Sequence, residues 1–229
     1  MGGCLCEVRR IVLGGKLMYR YYSYILIFIV IIISVIASNY LKSTYRKFGM
    51  ISSSDRITAE ACATTILHNS GITDVSIQRI EGELTDHYSP SEKVLRLSDS
   101  VYGSTSVAAI GVAARECGHA IQDEEGYVPL KLRTVFAPIA NIVSTLSGIL
   151  ITAGLAFDFL GLARVGVLLF TFVVIFRLIT LPVEIDASRR ALIAIEENDL
   201  LRGSELEGAG KVLKAATLTY AVALFSSPL

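Results

Sequence analysis

The chain has 229 residues, with 21 Lys plus Arg against 21 Asp plus Glu, so its formal net charge is zero. Hydrophobic residues make up 52% and charged residues 18%, against about 45–50% and about 25% in soluble domains; the mean hydropathy is +0.57. This balance excludes a disordered chain, which needs low hydrophobicity and high net charge, argues against a nucleic-acid partner, which selects a basic surface, and points to the lipid bilayer as a partner.

Residues 1–17 are set apart as an N-terminal extension. Met1-Gly-Gly-Cys4 only loosely matches an acylation signal, with Cys6 where Ser or Thr is wanted. The four cysteines contain no CxxC pair, so no disulfide framework is expected. Residues 18–41 read as a first transmembrane helix. Tyr21 to Leu41 is 21 residues without a charge, and a helical span needs about 20. Tyr19, Tyr21, Tyr22 and Tyr24 at one end, and Tyr40 and Tyr45 at the other, form interfacial aromatic belts.

Residues 42–133 read as a compact α+β domain. A helix is expected from Thr58, a plausible N-cap, with Glu60 in its first turn and Gly71 past its end. Val75 to Ile80 reads as a strand. Glu83 to Tyr88 and Lys93 to Leu97 read as a hairpin joined by Ser89-Pro-Ser-Glu92. From about Ser104 to Gln122 the pattern turns helical. This helix carries Arg115-Glu-Cys-Gly-His119, a His-Glu-x-x-His motif with its first histidine replaced by arginine. Positions 115 and 119 share one helix face, where two imidazoles could reach one metal, with the Glu beside them as a proton acceptor. On spacing alone, a Glu and a His on an ordinary amphipathic helix is the stronger reading.

Residues 134–183 read as a transmembrane helix pair. Thr134 to Phe157 gives 24 uncharged residues. About Phe159 to Val183 forms the second member, with Arg164 and Arg177 near its ends and Gly154 to Gly161 as the turn. Residues 184–229 hold a further helix, which Pro182 suits as a starting residue. Its apolar end, Ala215 to Leu229, is short for a span and reads as a partial, interfacial or truncated fourth one. Lys42, Arg46, Lys47, Lys131, Arg133, Arg189 and Arg190 all fall on one side of the spans, which places the 42–133 domain in the cytoplasm. Arg9, Arg10, Lys16 and Arg20 oppose that orientation; a start at Met18 would leave only Arg20 against it.

Several blocks together carry a resemblance. They are Leu84-Thr-Asp-His-Tyr-Ser-Pro90, Leu95-Arg-Leu-Ser98, Ala113-Ala-Arg-Glu-Cys-Gly-His-Ala-Ile-Gln122, Gly126-Tyr-Val-Pro-Leu-Lys-Leu-Arg133 and Leu181-Pro-Val-Glu-Ile-Asp-Ala-Ser-Arg-Arg-Ala191. From about Met18 to Tyr220 the chain resembles the YugP-like family of neutral membrane zinc metallopeptidases. The resemblance implies an integral protein of the bacterial cell membrane with a zincin-like α+β core of the glutamate-zincin type and about three to four transmembrane helices. It implies a zinc-dependent endopeptidase acting on a peptide or membrane-protein substrate through metal-activated water. It also implies Glu116 as the catalytic glutamate, and His119 and Glu184 as zinc ligands. The spans permit this set, because two crossings return Glu184 to the side of His119. The bland alternative for Glu184 is an interfacial partner of Arg177 or Arg189.

Arg115 departs from the family where the first zinc ligand is expected. A guanidinium stays protonated and offers no lone pair. Zinc binding is expected to be weak or absent, with His87 as a substitute ligand or a substrate-side residue. Two functions follow: an endopeptidase impaired by Arg115, or an inactive pseudoprotease acting as a membrane binding or scaffold protein. His68, near a helix C-terminus, is assigned no chemistry.

Overall fold

The structure, a computed structural model, describes residue 25, residues 28–29 and residues 31–226. The extension 1–17 and, of the first expected span, residues 18–24, 26–27 and 30 therefore lie outside the described residues. The chain is helical over 31–49 (α1). It continues as α2 (Ala59–Asn69), β1 (Ser76–Ile80), β2 (His87–Ser89), β3 (Val94–Ser98), α3 (Val107–Glu124), α4 (Val128–Ala156), α5 (Leu160–Glu197) and α6 (Ser204–Ser226).

Helix α2 starts where its cap requires: the Thr58 side chain accepts from Ala61 N–H. It stops at Gly71, which takes the left-handed φ of +76° that an L side chain resists. The sheet has the order β1-β3-β2. Strand β1 runs parallel to β3, with Ile77 opposite Leu95, and β2 runs antiparallel, with Tyr88 opposite Leu95. The first arm of the hairpin is shorter than expected. Gly82 (φ +109°) and Leu84 (φ +57°) both take left-handed backbone, which breaks pleating ahead of His87.

Helix α3 is the central element. Ser106 caps it by accepting from Ala109 N–H, and alanine and glycine dominate its buried face. Small residues let α5 and α6 approach it closely. A Cβ on Gly118 would sit 2.4 Å from the Ala187 carbonyl oxygen of α5, and one on Gly111 would meet Ala209 of α6 at 3.5 Å. The core gathers here, with Ile66, Leu95, Leu97, Ile110, Ile195 and Leu213 fully enclosed.

Helices α4 and α5 form an antiparallel pair, closed at Gly154, where a Cβ would lie 2.5 Å from Ala163 N. Both are long and apolar enough to cross a membrane. Their outward faces carry Ile142 and Leu168 at 70% and 71% exposure. Pro182 does not begin a new helix: α5 runs unbroken through it. With 38 residues at ~1.5 Å rise, α5 reaches ~57 Å, well beyond an apolar slab of ~30 Å. Its far end therefore carries Glu184 into the polar domain.

Candidate active site

Three helices bring the site together. Helix α3 supplies Arg115, Glu116, His119 and Gln122; α5 supplies Glu184 and Asp186; α4 supplies Arg133. The close approach of Gly118 to Ala187 sets Glu184, one turn before Ala187, beside His119. Arg133 arrives by symmetry of the helix pair. It lies 25 residues before Asp158 at the turn, and Glu184 lies 26 after it, so antiparallel packing sets them opposite one another.

Glu184 is fully buried and is the electrostatic hub. Its Oε2 accepts a hydrogen bond from Arg115 Nη2 and lies 3.7 Å from His119 Nε2. Its Oε1 lies 2.8 Å from Arg133 Nη1, in an ion contact without hydrogen-bond geometry. Arg115 also stands with Nη1 3.9 Å from Glu116 Oε1 and with its guanidinium 5.1 Å from the centre of the Tyr220 ring. Glu116 Oε2 accepts from the backbone N–H of Tyr88, 3.2 Å away on β2.

Burial raises the Glu116 carboxyl above its ordinary range, against the pull of Arg115 and Arg133. Burial drives His119 well below its ordinary imidazole value, with Arg133 and Arg115 adding to the effect. His119 Nδ1 is 3.0 Å from Gln122 Oε1. A cleft of about 300 Å³ opens over these groups and is walled by His87, Tyr88 and Ser89 of β2 and by Leu130 and Arg133 of α4. A smaller, more apolar cavity of about 200 Å³ lies behind Arg115 and Glu116, between α1 and α6.

The four residues singled out in sequence, Arg115, Glu116, His119 and Glu184, thus meet. His87 faces the same cleft from β2, but its ring is engaged by the Thr85 carbonyl at 2.8 Å and by Arg96 Nη1 at 3.5 Å. His68 stays on the exposed face of α2 beside Asn69. Sequence reasoning missed the site roles of Arg133 and Gln122. In the sequence Arg133 stands out only as a basic residue beside a span and as the last residue of one family-like block. Gln122, three residues after His119, shares its helix face, and that spacing was the available signal.

The family model described as "putative neutral zinc metallopeptidase" matches residues 23–229. This chain belongs to that metallopeptidase family. It is 41% identical over 187 residues to a protein of Bacillus subtilis (strain 168) named "putative membrane protease YugP", covering 82% of this chain and 83% of that protein. No solved structure matches it.

The family's zinc can be set against the donors present. Catalytic zinc takes three protein ligands of the His, Cys or carboxylate type. Here His119 Nε2 and Glu184 Oε2 are a suitable pair, but the side chain beside them is the Arg115 guanidinium, which is bonded to Glu184. Among the described residues no group of three or more His, Cys, Asp or Glu is placed to hold a metal. The residues of this chain do not fit the family's zinc.

Proposed function

We propose that this chain is a membrane-bound, peptide-binding member of the metallopeptidase family whose hydrolytic centre is disabled by Arg115. One observation carries the reading: the Arg115 guanidinium is hydrogen-bonded to Glu184 on the face where the family's first metal ligand belongs. The positive charge of that side chain stands among Glu184, Glu116 and His119 in place of an ion. The cleft itself stays open. Strand β2 is an edge of the sheet and walls the cleft, so an extended peptide has a strand edge to pair with. The polar domain is assigned to the cytoplasmic face of a bacterial cell membrane, with α4 and α5 in the bilayer.

The hydrolytic reading is the second. What favours it is that Glu116, His119 and Glu184 remain together in one buried site. Casein cleavage by three purified proteins separates the two. The unmodified chain is expected to be inactive. Arg115→His is expected to cleave, with Glu116 taking the proton. Arg115→His with Glu116→Gln is expected to be inactive again. Glu116-dependent cleavage by the unmodified chain would establish the hydrolytic reading instead.

A further inference from the structure

The side chain of Gln122 is fully buried, yet its amide meets three polar neighbours from two helices. Its Nε2 donates to the Val183 carbonyl at 3.0 Å and to Asp186 Oδ2 at 2.8 Å. Its Oε1 faces His119 Nδ1 at 3.0 Å. The orientation of an amide is normally a choice between two near-equal fits. Here chemistry decides it. A carbonyl oxygen and a carboxylate oxygen can only accept, so the NH₂ must face them. The Asp186 carboxylate is itself fixed from outside by Arg190 Nε at 2.5 Å, and Arg190 Nη1 in turn holds Glu125 at 2.7 Å. Gln122 Oε1 is thereby left as an acceptor, and the ring nitrogen opposite it must donate.

We propose that Gln122 is a positioning residue that keeps the proton of His119 on Nδ1 and turns a bare Nε2 toward Glu184. The chain Glu125–Arg190–Asp186–Gln122–His119 fixes the ring from behind, so its orientation does not depend on what occupies the cleft. Nε2, 3.7 Å from Glu184 Oε2, is then an acceptor at the cleft floor, beside the guanidinium donors of Arg115 and Arg133. A peptide group, which carries one N–H and one C=O, complements that pairing. This last consequence rests on the peptide-binding function proposed above; the proton placement does not.

The chain has only three histidines, so nitrogen-15 NMR of histidine-labelled protein in detergent micelles resolves the question, with His68→Asn and His87→Asn providing assignments. The expected spectrum of the unmodified chain shows His119 with a directly bonded proton on Nδ1 and none on Nε2. Gln122→Met, of similar volume and without an acceptor, is expected to lose that pattern to a mixture of both forms. A proton on Nε2 with a bare Nδ1 in the unmodified chain overturns the proposal, as does a Gln122→Met spectrum identical to the unmodified one. Should Gln122→Met not fold, the spectrum of the unmodified chain alone decides. No cleavage or ligand enters this measurement, so its failure is distinct from failure of the proposed function.

Discussion

At Glu184 one buried carboxylate answers two guanidinia, from Arg115 and Arg133. Removing one side of such a group costs more than the group contributes, because the remaining charges stay buried without a partner. Glu184→Ala is therefore expected to destabilise the protein by ~3–5 kcal/mol. Arg115→Met leaves Glu184 its Arg133 contact and is expected to cost less. Apparent thermal midpoints in detergent give the order. His119 adds a pH dependence. Its folded value is depressed below the ordinary 6.5, so the unfolded chain binds more protons below that pH, and stability is lost as pH falls from 6.5 toward the folded value. Glu116 works in the opposite sense: its folded value lies above 4.5, so it favours the folded state less as pH rises from 4.5 to the raised value. In a Glu116→Gln background the midpoint is expected to fall as pH drops from 7 to 5.5, and adding His119→Asn is expected to flatten that slope. At this scale Arg115, Glu116 and His119 were legible because they sit in one contiguous motif, and Glu184 only through the family resemblance of the block around it. Arg133 was not, since its partner lies across a helix pair whose register only packing defines.

The helices were read from their caps and apolar runs, and Thr58 and Gly71 bound α2 as their chemistry requires. Two elements escaped that reading. The short β2 depends on left-handed backbone at Leu84, a residue type that gives no warning of it. The unbroken α5 depends on a proline that a long helix tolerates where neighbouring helices and water re-satisfy the freed carbonyl. The contact that assembles the site is Gly118 against Ala187. A methyl there would lie 2.4 Å from a backbone oxygen, so α3 and α5 must separate to admit it. Gly118→Ala is expected to cost ~1–3 kcal/mol, whereas Gly148→Ala, with nothing within 4 Å, is expected to leave the thermal midpoint unchanged.

Across the whole molecule, α4 and α5 hold an apolar hairpin away from a polar domain, and the basic residues flanking them lie at the domain's end. That asymmetry predicts a cytoplasmic domain. Cysteine labelling in intact cells checks it. Cys62 and Cys117 are fully buried, and burial pushes the Cys62 thiol up to about 12, so neither is expected to react while the protein is folded. With Cys4 and Cys6 replaced by serine, an introduced Ser91→Cys is expected to resist impermeant maleimide from outside and to react once the cells are opened. Labelling from outside would reverse the orientation. The membrane character and the family were legible from composition and from the blocks around residues 84–98, 113–133 and 181–191. The absence of a histidine at the first position of the His-Glu-x-x-His pattern was legible too, as Arg115 alone. What Arg115 engages was not, because the hydrogen bond to Glu184 joins residues 69 positions apart. The most direct test of the account is the zinc content of the purified unmodified chain beside Arg115→His, by elemental analysis after equilibration with a slight excess of zinc. The account predicts no stoichiometric zinc in the unmodified chain and one zinc per chain in Arg115→His, lost again when Glu184→Ala is added. One zinc per unmodified chain, lost on His119→Ala or Glu184→Ala, would contradict it.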